Sequence, residues 1–357
     1  MADPTVAVLM PFRNAAAFIE EAVRSVLAQT WRDFELIAVD DGSTDDSLSI
    51  VTALADQDRR VRVLANTGEG IADALETARG RTKAPFLARM DADDIAAPDR
   101  LERQMRFLEE HPEVVAVGGD VVLIDADGNV ARRMDYPKGD EACRRFLTRG
   151  SPLCHPAVTL RAEAVARVGG YRAAFEPAED YDLWLRLTQI GAIDNLDTVV
   201  LAYRRHPEST TARRGVDQSV AAARAYLSRL HAELGAALSA VPQVEKAADW
   251  AAFEAGLPED VQAIARRTFL RATALNGTAA NPDCTEMLLD SIAALPDEAR
   301  GAQAREDIGY WLCRAGWQLA RRRPVAALRI AWCLLQHFPG PAFRAVRAAL
   351  ARKYARP

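Results

Sequence analysis

Short apolar runs alternate with helix-patterned segments from Val6 to Met90, and this alternation constrains the fold more than any other feature. Val6-Ala7-Val8-Leu9-Met10 has the character of a buried strand, stopped by Pro11. Between Ala15 and Gln29, Phe18, Ile19, Ala22, Val23, Val26 and Leu27 recur at three- and four-residue spacing, which predicts an amphipathic helix. Phe34 to Val39 reads as a second strand. Asp40 to Asp46 is a turn with helix N-cap chemistry, and Ser47 to Ala55 continues as a helix. Val61 to Ala65 is a third strand, Ile71 to Ala78 a third helix and Phe86 to Met90 a fourth strand. Strands and helices joined by short connections predict an α/β fold, a parallel sheet with helices on both faces.

Ligands of such sheets bind outside the carboxyl ends of the strands. Three polar segments fall at these ends: Pro11 to Asn14, Asp40 to Ser43, and Asp91-Ala92-Asp93-Asp94. The last places three carboxylates within four residues directly after an apolar strand. Like charges this close repel, so the cluster calls for a compensating cation. Hard divalent ions such as Mg2+ or Mn2+ suit an all-oxygen site that also takes substrate phosphates. A solvated acidic loop would have the same composition, but the convergence of the three segments on one edge of the sheet argues for a site.

Further along, Pro98 to Glu110 reads as a helix, with strands at Val114 to Val117 and Val121 to Ile124. A turn at Asp125 to Asn129 leads to a returning strand, Val130 to Met134. Gly139 to Thr148 reads as helix, Ser151 to Pro156 as a loop, Ala157 to Leu160 as a strand, Ala178 to Ile190 as a helix, and Val199 to Tyr203 as the last strand. From Val216 alanine is abundant, helical periodicity dominates and prolines punctuate the chain at helix-like intervals. Two domains are expected: residues 1–215, and an all-helical domain over 216–357 that could serve acceptor binding, dimerisation or a membrane surface.

Composition excludes several classes. A net charge of −5 gives no support to a nucleic-acid partner. The five cysteines form no CxxC pair, which argues against structural zinc and fits a reducing compartment. No signal peptide and no run long enough to span a bilayer are evident, so a cytoplasmic protein is expected.

The motifs Val8-Leu9-Met10-Pro11-Phe12-Arg13-Asn14, Val39-Asp40-Asp41-Gly42-Ser43-Thr44-Asp45, Arg89-Met90-Asp91-Ala92-Asp93-Asp94, Gly169-Gly170-Tyr171 and Glu179-Asp180-Tyr181-Asp182-Leu183-Trp184 occur in that order. In this the chain resembles the inverting nucleotide-sugar glycosyltransferases of family 2 over residues 4 to 211. The resemblance implies the GT-A fold, a Rossmann-like, mixed but mostly parallel sheet. It also implies metal-dependent transfer of one sugar, from a UDP-hexose, to a saccharide or lipid-linked acceptor in surface polysaccharide or glycoconjugate synthesis. The Gln-x-x-Arg-Trp motif and membrane helices of processive members are absent, which favours single-sugar transfer.

The resemblance assigns metal binding to Asp93 and a ribose or water-mediated role to Asp91, with Asp94 orienting the pair. Asp41 should accept a hydrogen bond from the base, with Pro11 and Arg13 lining the same pocket; a turn role for Asp41 and a surface ion pair for Arg13 are the plainer alternatives. Transfer needs a general base within reach of the acceptor hydroxyl. Adjacent acids on a helix point about 100° apart, so only one of Glu179 and Asp180 faces the sugar. The resemblance selects Asp180. His155 lies in a loop where relatives contact donor phosphate or acceptor. Trp184, one turn beyond Asp180, either stacks on a sugar or packs in the core. His206, just after the last strand, is where some relatives supply a further metal ligand.

Two other readings compete. A non-catalytic nucleotide-sugar-binding protein would have no use for an intact Asp180. In an NAD-dependent oxidoreductase, Gly68-Glu69-Gly70 would open the phosphate loop, but Asp73 stands where the fingerprint needs Gly or Ala. Finally, residues 319–357 hold nine Lys or Arg and no Asp or Glu, interleaved with apolar residues such as Trp332, Leu335 and Phe338. Such a segment suits peripheral contact with an anionic membrane, or a homodimer interface.

Overall fold

The computed structural model describes residues 3–147 and 150–206, together with six positions between 218 and 229. The chain divides into two compact units, residues 1–212 and 213–357. The expected helical domain and the basic tail at 319–357 lie outside the described residues, apart from those six positions.

The first unit is built on β1 (Val6–Phe12), β2 (Phe34–Asp40), β3 (Val61–Ala65) and β4 (Phe86–Arg89), joined by α1 (Ile19–Leu27), α2 (Ser47–Ala55) and α3 (Gly70–Arg79). After β5 (Ile95–Ala96) come α4 (Arg100–Glu110), β6 (Val114–Ile124), β7 (Val130–Met134) and α5 (Asp140–Leu147), then β8 (Thr159–Arg161), α6 (Ala162–Arg167), α7 (Glu179–Leu187) and β9 (Ala192–Arg204). The sheet order is β3-β2-β1-β4-β8-β6-β9-β5, with β7 paired to β6. β3, β2, β1 and β4 are mutually parallel, β8 runs antiparallel between β4 and β6, and β9 is parallel to β6. The expected α/β architecture is therefore present as a mixed sheet.

Right-handed crossovers put α1 and α2 on one face, since both carry the chain from β1 outward to β3. α3 returns from β3 to β4 and takes the other face. The strand order reverses between β1 and β4, so the crevice at their carboxyl ends is the topological switch point where a ligand seats. The core beneath it is apolar: Val8, Met10, Leu36, Ala38, Ala88 and Met90 are all at most 2% exposed.

Four local features differ from the sequence reading. β1 continues through Pro11 instead of stopping there. Leu9 C=O accepts from Met90 on the β4 side, and Phe12 C=O accepts from Asp41 on the β2 side. Pro11, between them in alternation, therefore turns its missing N–H to the β4 side, beyond the last β1–β4 pair, Leu9 with Arg89. Second, the two strands expected at 114–124 are one strand through Gly118-Gly119. A Cβ at Gly118 would stand 2.3 Å from Asn195 Oδ1, so glycine here permits close approach of β9. Third, β9 begins at Ala192, earlier than expected, because Asp194, Asn195 and Asp197 mask its first half. Fourth, the two-residue β5 carried no recognisable signal.

α4 projects Arg100 and Gln104 into the sheet. Arg100, 2% exposed, donates to the carbonyls of Arg89 (2.7 Å), Pro156 (2.7 Å) and Val158 (3.3 Å). Gln104 donates to Ala157 C=O at 2.7 Å and accepts from Thr159 Oγ1 at 2.7 Å. These bonds satisfy backbone groups at the irregular junction of β4, β8 and the segment before β8. Arg100→Met leaves several buried acceptors unpaired, and should lower the unfolding free energy by about 3 kcal/mol. Urea denaturation, read as a shift in midpoint at unchanged slope, measures it.

Candidate active site

Asp91, Asp93 and Asp94 follow β4 at the switch point. Each offers a carboxylate oxygen, and the three oxygens lie within 4.8 Å of one another. Asp94 is buried at 1% exposure. Its Oδ1 accepts the Arg204 backbone N–H at 2.7 Å, while Oδ2 is buried without a hydrogen-bond partner. Burial, then the charges of Asp91 and Asp93, push the Asp94 carboxyl well above its ordinary range. Asp93 is raised for the same reasons, partly offset by His206, whose Nε2 lies 2.9 Å from Asp93 Oδ2. An orphaned buried oxygen, clustered carboxylates that repel and an imidazole beside them form a donor set that fits a divalent cation.

β9 delivers this geometry from more than a hundred residues away. The Arg204 side chain, 2% exposed, donates to the carbonyls of Asp93 (2.8 Å) and Ala126 (2.9 Å) and pairs with Glu21 Oε2 at 2.6 Å. Its backbone holds Asp94. His206, two residues on, is thereby brought to Asp93.

At the end of β2, Asp41 Oδ1 accepts from Asn66 Nδ2 at 2.6 Å and from the Gly70 N–H at 3.1 Å. Arg13 Nη1 stands 3.9 Å from Asp41 Oδ2 and is largely exposed. Pro11, Arg13 and Asp41 are thus neighbours, and Asn66 joins them. Gly70 has φ +87°, and a Cβ there would meet the Glu176 carboxylate at 2.5 Å. Glu176 Oε2 in turn accepts the Ala72 N–H at 3.4 Å. The α3 N-terminus, which a dinucleotide fingerprint would turn to phosphate, faces the carboxylates of Asp41 and Glu176 instead.

Farther along the chain, α7 opens with Glu179 and Asp180. Glu179 is 5% exposed, with Oε2 buried and unpartnered and Oε1 3.8 Å from His155 Nδ1. Burial, then the Asp180 charge, push the Glu179 carboxyl up to about 8. Asp180 is less buried than Glu179. Its carboxyl is raised by burial, against which the Tyr181 N–H, Arg89 and Ser151 act.

His155 is 8% exposed, and its Nε2 lies 3.0 Å from the Tyr171 hydroxyl. Burial, then the Arg89 charge, hold it neutral, well below the usual imidazole range. It supplies no positive charge for a phosphate. Of the two alternatives for Trp184 the structure has core packing: it has no exposed surface, and its Nε1 donates to Ser151 Oγ at 2.9 Å. It packs in the core and anchors the loop that reaches Asp180. Arg89, passed over in the sequence because a strand residue beside a motif looks like scaffold, is buried against the acidic cluster. Its Nη1 lies 2.5 Å from Asp91 Oδ1.

Two outcomes are expected. Trp184→Ala should cost about 3–5 kcal/mol of stability, as for other buried tryptophans, measured by chemical denaturation. Glu179 binds its proton more tightly folded than unfolded, so its contribution to stability is complete below the ordinary carboxyl pKa and is lost as pH rises towards 8. Glu179→Gln should flatten the fall in melting temperature between pH 5 and 8.5, and parallel curves for the two proteins would contradict the protonation assigned to Glu179.

Comparison with known proteins accords with this geometry. Residues 7–169 match the family described as Glycosyl transferase family 2. The chain is 31% identical over 211 residues to the O-antigen biosynthesis glycosyltransferase WbnJ of Escherichia coli, covering 57% of this chain and 81% of that one. It is 32% identical over 199 residues to the amylovoran biosynthesis glycosyltransferase AmsE of Erwinia amylovora, covering 55% and 74%. Among solved structures, TarS 1-349 of S. aureus in complex with UDP-GlcNAc has the same fold, with a TM-score of 0.55 at 17% identity over 91% of this chain and 89% of that one. The mannosyltransferase PcManGT of Pyrobaculum calidifontis, in complex with GDP-Man and Mn2+, superposes with a TM-score of 0.51 at 19% identity, covering 100% and 89%. On the strength of these sequence relatives, this chain belongs to glycosyltransferase family 2.

Proposed function

We propose that this glycosyltransferase moves one hexose from a UDP-sugar to a hydroxyl of a saccharide or lipid-linked acceptor, with inversion, in the assembly of a surface polysaccharide or glycoconjugate. The observation that carries this reading is the cluster of Asp91, Asp93 and Asp94 after β4 at the switch point, with His206 beside it; Glu179 and Asp180 at the start of α7 supply a second acid group. The biosynthetic roles named for the E. coli and Erwinia relatives support the setting, and the UDP-GlcNAc complex of TarS supports the donor class.

On the donor side, Asp41 with Pro11, Arg13 and Asn66 takes the base, and Asp91 takes the ribose. Asp93 and His206 hold Mn2+ or Mg2+, and Asp94 braces the loop through Arg204. The bound cation supplies positive charge against the diphosphate leaving group. The Mn2+ complex of the mannosyltransferase relative supports this choice. On the acceptor side, Asp180 accepts the hydroxyl proton as its oxygen attacks the anomeric carbon and the bond from that carbon to the diphosphate breaks. Attack from the face opposite the leaving group turns an α-linked donor into a β-linked product. Asp180 is the base because Glu179 retains its proton near neutrality and so cannot accept another. A lipid-linked acceptor would bring the enzyme to a membrane surface; no described helix is long and apolar enough to cross one.

Asp93→Ala should abolish both the thermal stabilisation of the protein by UDP with Mn2+ and most of its transfer activity, while its melting temperature without ligand stays close to that of the parent. Full activity in excess EDTA would refute the metal requirement. Asp180→Asn should retain UDP affinity by calorimetry and lose turnover by roughly 100-fold, the scale of a general base. A product of retained anomeric configuration would reject direct displacement.

A further inference from the structure

We propose that Phe18 is a positioning residue for metal binding: its ring, at the start of α1, is the plate against which the His206 imidazole is set to face Asp93. This deepens the reading of Asp93 and His206 as the metal-holding pair, and rests on it.

Helical spacing puts Phe18 on the apolar stripe of α1, but the residues of that helix that are buried are Ile19, Ala22, Val23 and Val26. Phe18 stands at the N-cap, is half-buried and, among the described residues, is not packed on the main core. Its ring meets the end of β9 instead. The Arg204 guanidinium carbon lies 4.7 Å from the ring centroid. The His206 ring centroid lies 5.1 Å from it, with the two planes 47° apart. Both distances fall in the range where a cation and a second ring are attracted to an aromatic side chain. Glu21, one turn further along the same side of α1, pairs with Arg204 at 2.6 Å. The helix therefore grips the end of β9 with one ring and one carboxylate.

His206 depends on the ring more than Arg204 does. Arg204 is held by its own backbone on Asp94, and by side-chain bonds to the carbonyls of Asp93 and Ala126 and to Glu21. The Arg205 N–H still donates to Ile124 C=O at 2.9 Å, which fixes the backbone one residue short of His206. The His206 side chain has two contacts among the described residues, Asp93 Oδ2 at 2.9 Å from Nε2 and the Phe18 ring. An imidazole held by one hydrogen bond alone can still swivel about it. A ring packed beside it removes that freedom and keeps Nε2 aimed at Asp93, which is how groups behind a metal ligand set its orientation.

The plate is itself fixed. The Phe18 N–H donates to Ala15 C=O at 2.9 Å. The Ala15 N–H donates to Ser47 Oγ at 2.7 Å, and the Ala16 N–H to Asp45 Oδ2 at 3.0 Å. The turn that carries Phe18 is thereby tied to the connection between β2 and α2, which begins at Asp41.

The test uses the full chain and a double-mutant cycle of Phe18→Leu and His206→Ala, with Phe18→Tyr as the conservative variant. Mn2+ affinity in the presence of saturating UDP is read by electron paramagnetic resonance, and thermal melts are recorded without ligand. Phe18→Leu keeps apolar bulk but loses the ring, and should weaken Mn2+ binding about fivefold, the scale of one aromatic contact. Its melting temperature should stay close to that of the parent, and Phe18→Tyr should bind Mn2+ as the parent does. In the His206→Ala background, Phe18→Leu should weaken Mn2+ binding no further, since the group it acts through is gone. Unchanged affinity in Phe18→Leu beside a weakened His206→Ala would overturn the proposal and leave the metal reading intact. The same loss with and without His206, or a Phe18→Leu chain that does not fold, would also overturn it, because the ring would then act on the structure at large. Parent affinity in His206→Ala would remove the metal role of His206, and the proposal with it.

Discussion

Repulsion among the carboxylates of Asp91, Asp93 and Asp94 is the interaction on which the rest of the structure depends. Three negative groups within a few ångströms, one of them fully buried, are unfavourable in an apolar fold. The chain offsets this with two basic side chains and one backbone N–H, drawn from three places. Arg89 comes from the strand that carries the cluster, Arg204 from the last strand, and His206 from just beyond it. Arg100 adds a brace beneath. What remains uncompensated, the raised carboxyls and the orphaned Asp94 oxygen, is the part a divalent cation would satisfy.

The same logic explains the second acid group. Glu179 and Asp180 sit together at a helix start, where the backbone dipole favours negative charge. Burial makes two ionised carboxylates there too costly, so the more enclosed Glu179 keeps its proton and the more open Asp180 stays the stronger candidate to receive one. Environment thus gives two adjacent acids different protonation states. Trp184, Tyr171 and His155 form the dry wall behind them.

Rigidity at the end of β2 has a similar origin. Asp41 binds Asn66 and Gly70, and Glu176 reaches the same helix N-terminus from the loop before α7. The end of β2 and the loop before α7 are therefore linked through α3. A glycine at 70 is required by its positive φ and by the closeness of Glu176.

The alternation of apolar runs and helical periodicity was enough to determine the parallel half of the sheet, because each strand and each amphipathic helix there is a local pattern. It also placed the acidic cluster at a strand end, since strand ends in such sheets share one edge. It could not reveal what depends on distant pairing. β8 turned antiparallel because it returns between β4 and β6, and the polar first half of β9 became a strand only because β6 and Gly118 admit it. Pro11 was tolerated in β1 because its missing donor faces the side where β4 has ended. Trp184 gave the same helical spacing whether buried or exposed, and only packing decided that it is core. Arg89 lay in plain view beside the motif, yet only the fold shows it buried with its guanidinium on Asp91. Charge acts through space, so the partners that set it are fixed by the tertiary fold and leave no periodic trace in the chain.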